Sequence, residues 1–222
     1  MKEEKFSKLF VILLAINITC LLISNIITIK TISILGIVFT AADLLFPITY
    51  ILNDVFTEVY GYNKARFVVW TSFFCNLLMV IVFFIAIKIP GSPEFLIQNE
   101  FEDVLGNTPR ILAASFIAFL IGSISNAIVL SKLKVKTKGK RLYVRTIVST
   151  LVGEGLDSLV FFPIVFLGEL PIGMIFKMVL CVYVLKIVIE VAFTPITYWV
   201  VRKIKEKEKI DTYDNNIKYK VI

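Results

Sequence analysis

Six stretches of the chain are each apolar over about the 20 residues that a helix needs to cross a bilayer. They fall at residues 9–29, 43–61, 67–87, 110–130, 146–167 and 172–201. The chain is 58% hydrophobic and its mean hydropathy is +0.86. Soluble domains run nearer about 45–50% apolar. No long polar segment separates the runs, so one all-α domain is expected: a six-helix transmembrane bundle over residues 1–205. A charged and polar cytoplasmic tail, expected to be disordered at its end, follows at 206–222.

The net charge of +7 does not make a nucleic-acid binder, because the basic residues sit in short loops between apolar runs, where they set topology. Lys2, Lys5, Lys8, Lys64, Arg66, the basic segment 131–145 and the run from Arg202 to Lys209 fall on one side. Lys30, Lys88, Arg110 and the acidic segment 89–109 fall on the other. The positive-inside rule then predicts both termini in the cytoplasm. Three runs per half, with paired acids in the middle run of each, predict an inverted 3+3 repeat. Cys20, Cys75 and Cys181 lie inside apolar runs and read as small hydrophobes, not a disulfide framework. There is no His, and no metal or other cofactor is expected. The first run has no good small-residue cleavage site and reads as a span.

Polar residues inside the runs carry the functional signal, because an ionisable group in a bilayer is expensive and marks a functional site by default. The second run continues into DLLFPITYILNDVFTEVYGYNKAR, residues 43–66. On a helix, Asp43, Phe46, Pro47, Tyr50, Asn53, Asp54, Thr57, Glu58 and Gly61 share an arc of roughly 140°. In the fifth run, GEGLD supplies Glu154 and Asp157, which share an arc of roughly 100° with Thr150 and Ser158. The sixth carries a stripe of Tyr183, Lys186, Glu190, Thr194 and Thr197, in which Lys186 and Glu190 are expected to pair at i,i+4. Asn17, Ser24 and Asn25 mark the first run, and Asn76 with Ser72 the third. Ala114, Ala118 and Gly122 form a small-residue series that favours close helix packing. Residues 30–40, KTISILGIVFT, fit a hairpin, a re-entrant loop or a plain connector. Apolar residues at helical spacing over 92–106 fit a short interfacial helix, either a lid or a surface element.

Carboxylates on these arcs can bind protons or accept hydrogen bonds from amine-like ligand groups; the alternative is ion pairing with Lys186, Lys64 or Arg66. The expected substrate residues are Phe46, Tyr50, Asn53, Asp54, Asn76, Glu154, Asp157 and Phe161: acids and amides for a donor-bearing edge, aromatics for the faces of a flat heterocycle. Pro47, Glu58, Arg66, Lys186 and Glu190 are expected in coupling or gating, with Pro47 and Pro163 loosening their helices. An enzyme is not expected. Gly153 to Asp157 is one residue too long for the Gly-x-Gly-Asp of an intramembrane aspartyl protease, and no Tyr-Asp lies in a span.

At FPITYILNDVFTEVYGYNKAR and GEGLD the sequence resembles the queuosine precursor transporter family of vitamin-uptake-like membrane proteins, over nearly the whole chain in length and span order. The resemblance implies six helices in the bacterial cytoplasmic (inner) membrane and uptake of 7-deazaguanines, meaning queuine or its cyano and aminomethyl precursors. It carries over Phe46, Pro47, Tyr50, Asp54, Glu58, Tyr60, Gly61, Arg66, Glu154 and Asp157 as candidates. The alternative is a substrate-binding subunit of an ATP-driven vitamin-type system; a non-transporting membrane assembly factor is a further contrast. The expected partners are a small purine-like molecule and the lipid bilayer. A homodimer and an ATP-driven module stay open.

Overall fold

A computed structural model describes residues 6–28, 30–34, 37–106, 109–215 and 217–220. Among them are seven α-helices and one small hairpin. Helix α1 (Lys8–Ile27) starts where the Ser7 side chain accepts a hydrogen bond from the Phe10 amide at 3.0 Å, satisfying one of the free donors of the first turn. Strands β1 (Thr31–Ile34) and β2 (Ile37–Thr40), rich in β-branched residues, pair antiparallel with Thr31 opposite Thr40. Of the three readings of this stretch, the hairpin is the one found. A 3₁₀ turn (Ala41–Leu45) leads into α2 (Phe46–Tyr60).

Pro47 therefore sits in the first turn of α2 and does not interrupt it. There its missing N–H costs nothing and its fixed φ favours the helix, so the expected mid-helix break is corrected to a helix start. Helix α2 ends at Gly61, whose φ of +87° and ψ of 167° suit only glycine, and α3 (Tyr62–Lys88) begins at once. The short α4 (Gln98–Leu105) lies within the amphipathic segment and buries none of its residues. Helices α5 (Pro109–Lys136), α6 (Leu142–Phe166) and α7 (Ile172–Glu208) complete the bundle. Pro163 lies inside α6 as expected.

Helices α1, α3, α5 (from Ala113), α6 and α7 are long and apolar enough to cross a membrane. Residues 43–61, expected as one span, are divided between the 3₁₀ turn and the 15-residue α2. The central core gathers Val55, Phe56 and Val59 of α2 with Phe10 of α1, Tyr62 and Ala65 of α3, and Val201 and Ile204 of α7. Large apolar side chains such as Phe74, Leu78, Phe176 and Leu180 stand exposed, as on a lipid-facing surface. Helices α5 and α6 cross closely. A Cβ at Gly122 would lie 2.9 Å from Asp157 Cβ, and one at Gly153 would lie 2.8 Å from Asn126 Cβ. The first glycine of GEGLD thus serves packing, as do the fully buried Ala114 and Ala118.

Two loop expectations change. The basic segment 131–145 is mostly helical: α5 runs to Lys136 and α6 starts at Leu142. The polar end of the chain is ordered against the bundle. The Thr212 amide donates to the Val59 carbonyl at 3.1 Å. Asp214 accepts from the Tyr62 amide at 2.8 Å and from the Ser131 hydroxyl. The Lys220 carbonyl accepts from the Tyr62 hydroxyl at 2.7 Å and from Arg66 at 2.9 Å. Composition registers the charge of this tail, whereas its order comes from partners on other helices.

Candidate functional site

A cavity of about 500 Å³ lies between α1, α2, α3, α5, α6 and α7. It extends from Asn17, in the middle of α1, to Thr28 beyond that helix's hairpin end. That volume suits a small organic ligand, for which pockets of about 300–1,000 Å³ are usual. One wall is ionic. Lys186 of α7 reaches Glu154 at 2.7 Å and Asp157 at 2.8 Å, both on α6. The two carboxylates stand on one face of α6 because residues three apart are neighbours there. Both acids keep about a quarter or less of their side-chain surface exposed (21% and 26%), toward the cavity they line. Lys186 pairs with these acids and not with Glu190, contrary to the i,i+4 expectation: the acids of α6 reach its ammonium across the helix interface.

Opposite that wall, α2 contributes Thr49, Tyr50 and Asn53. Tyr50 and Glu154 line the same cavity, so α2 and α6 face one another across the site. Phe119, Phe161 and Phe162 line the remainder, with Ser115 and Ser123 from α5. The cavity thus offers two carboxylates with one cation between them, a carboxamide, hydroxyls and aromatic faces. It can accept two or more N–H donors and enclose a flat ring.

The structure brings Tyr50, Asn53, Glu154, Asp157, Phe161 and Lys186 to this cavity. It puts the other candidates elsewhere. Asn76 accepts from Asn25 at 2.6 Å and, with the Asn17–Ser72 bond at 3.1 Å, fastens α3 to α1. Asp54 and Glu190 are buried, each 2% exposed, and do not line the cavity. The side chain of Phe46 lies outside the described residues. Arg66 holds the tail carbonyl of Lys220, and Lys64 lies over the rings of Phe6, Phe10 and Tyr60.

Glu58 is fully buried at the far end of α2 in a second charged cluster. Its Oε1 accepts from Arg145 at 2.7 Å and Lys205 at 2.8 Å, with Lys134 at 3.7 Å. Lys134 also pairs with Asp211 of the tail, and Lys205 reaches the same carboxylate at 2.9 Å. Burial pushes the Asp211 carboxyl up, but Lys134 and Lys205 outweigh that and hold it below its ordinary value. Arg145, Lys134 and Lys205 look like topology-setting charges in the sequence, and nothing local distinguishes them from the solvated lysines beside them. Asn17 did carry a signal, as an amide within an apolar run. Phe119 and Phe162 carry none, since they read as core.

A bundle of helices long and apolar enough to cross a membrane, around a ligand-sized cavity with one ionic wall, is an architecture that suits a membrane transporter. Residues 40–200 match the family described as "Putative vitamin uptake transporter", and the chain belongs to that family. It is similar to the "Probable queuosine precursor transporter" of Bacillus subtilis (strain 168), with 24% identity over 187 residues, 84% of this chain and 82% of that protein. No solved structure matches the chain.

Proposed function

We propose that this protein imports a 7-deazaguanine, either queuine or one of the precursors of queuosine, through the cavity between α2 and α6. The observation that carries this reading is the cavity's set of groups, Glu154, Asp157 and Lys186 facing Tyr50, Asn53 and Phe161. A guanine-like edge presents a ring N–H beside an amino group, and one carboxylate accepts both. The Asn53 amide suits the ring carbonyl, and Tyr50 and Phe161 suit the ring faces. The name of the Bacillus subtilis relative supports the same substrate class.

In this reading the 3₁₀ turn and α2 together, residues 41–60, make a sixth crossing with the five long helices. Both termini then lie in the cytoplasm, and the two three-helix halves run in opposite directions. The tail of residues 206–222 belongs to the cytoplasmic face, and the membrane is the bacterial cytoplasmic membrane.

Thermal denaturation of the purified protein with guanine, queuine and its precursors tests the assignment. Binding at 100 times Kd should add about 2.7 kcal/mol of apparent stability. Glu154→Gln or Asp157→Asn should weaken queuine binding by about 10–100-fold, the loss of a charge-assisted hydrogen bond of about 1.5–3 kcal/mol. No stabilisation by any of these compounds would remove the deazaguanine assignment. Uptake of labelled queuine in a foreign host separates a self-sufficient carrier, which needs no partner, from the binding subunit of an ATP-driven system.

A further inference from the structure

Two buried acids take no part in the cavity wall. Asp54 on α2 and Glu190 on α7 are each 2% exposed, and each has a carboxylate oxygen with no hydrogen-bond partner, Asp54 Oδ2 and Glu190 Oε1. Asn126 of α5 lies beside Asp54, and its own Oδ1 is buried without a hydrogen-bond partner. Asp54 lies within electrostatic reach of Glu190, and Glu190 within reach of Glu154 on α6. Among the described residues, no Lys or Arg forms an ion pair with either acid. The nearby cations are engaged elsewhere: Lys186 with Glu154 and Asp157, and Arg145 with Glu58.

Two dehydrated carboxylates in mutual reach, facing a third acid and lacking a cation of their own, repel strongly while both are charged. A proton removes one charge and supplies a donor where only acceptors now stand. No group of three or more His, Cys, Asp or Glu side chains converges as a metal-ligand set among the described residues, so the arrangement suits a proton better than a multivalent ion.

We propose that Asp54 and Glu190 form a proton-binding site one helical turn beyond the substrate cavity, and that the proton bound there drives uptake. Asp54 follows Tyr50 by one turn on α2, and Glu190 follows Lys186 by one turn on α7. The site therefore lies between the same two helices that bound the cavity. Packing α2 against α7 brings the two carboxylates together and completes the cavity. Proton and substrate favour the same packed arrangement, so each promotes binding of the other. The groups facing the site are Glu58 on α2, Asn126 on α5, and Glu154 and Arg145 on α6. This coupling rests on the transport reading given above, whereas the proton site itself does not.

Infrared titration of the purified protein tests the site without any substrate. A protonated carboxyl band should persist at neutral pH, shift in D₂O, and shrink in both Asp54→Asn and Glu190→Gln, two neutral variants of unchanged shape. Absence of the band in the wild-type protein, or its full retention in both variants, overturns the site. Queuine added to wild-type protein in weak buffer should then take up protons. In liposomes it should accumulate when the interior is made alkaline. Accumulation that ignores the pH gradient, or that follows a sodium gradient instead, overturns the coupling. Queuine that neither binds nor moves overturns the substrate reading and the coupling with it, while the infrared band still decides whether the proton site exists.

Discussion

Lys186 carries the electrostatics of the cavity wall, since its ammonium lies within 2.8 Å of both Glu154 and Asp157. Removing one member of a buried ionic cluster leaves charge without compensation, at a cost of about 3–5 kcal/mol. Lys186→Met should therefore lower the unfolding temperature markedly, and Lys186→Met with Glu154→Gln and Asp157→Asn should recover most of the loss. Calorimetry of the single and triple variants measures both. Asp211 gives a second residue-scale expectation. Its carboxyl is held below its ordinary value in the folded protein, so its contribution is present above the unfolded value of about 3.9 and lost as pH falls through the folded one. Its side chain is 42% exposed, so solvent screening limits the effect to under about 1 kcal/mol. Asp211→Asn should be slightly less stable than wild type at pH 7, and the difference should vanish as acidification carries the medium through the lowered folded-state value. Denaturation midpoints across that range check it.

Among the elements, the long helices were legible because a bilayer demands about 20 apolar residues in a row and little else mimics such a run. The polar stripe of α7 was legible for a related reason: Lys186, Glu190, Thr194 and Thr197 recur at helical spacing and all are buried. The partners of its charges were not. Helical spacing puts Glu190 next to Lys186, but α6 lies closer to the ammonium, and sequence periodicity holds no information about a neighbouring helix. Pro47 failed for a local reason, because proline fits a helix start as well as it disrupts a helix middle, and only the 3₁₀ turn ahead of it decides. Gly61 is the tightest of these junctions. Its backbone lies in a region that costs other residues about 1–3 kcal/mol, and a Cβ there would meet Thr212 Cγ2 at 2.7 Å. Gly61→Ala should destabilise the protein by at least that amount and loosen the tail. Faster proteolytic cleavage after residue 209, read by mass spectrometry, is the expected sign.

At the scale of the molecule, charge is sorted along the bundle. The cavity holds two acids and one lysine, Asp54 and Glu190 lie one turn beyond, and a cluster rich in cations closes the end where α2 meets α3. Reporters active on a single side of the membrane, fused to either terminus, should both report the cytoplasm. A C-terminus on the outside would reverse the order of the three layers relative to the cell. Much of the candidate site was legible as acids, amides and aromatics within apolar runs. Sorting those residues into cavity, buried acids and helix staple needed the third dimension. The tail adds a constraint of timing. Lys134 is buried to 2% exposure, and among its partners Asp211 and Thr212 follow every helix in chain order. During synthesis that lysine gains its Asp211 and Thr212 contacts only after α7 has been made. A chain cut after α7 would keep every helix and the Lys134–Glu58 contact at 3.7 Å, yet leave that lysine without its second carboxylate and without the tail that covers it.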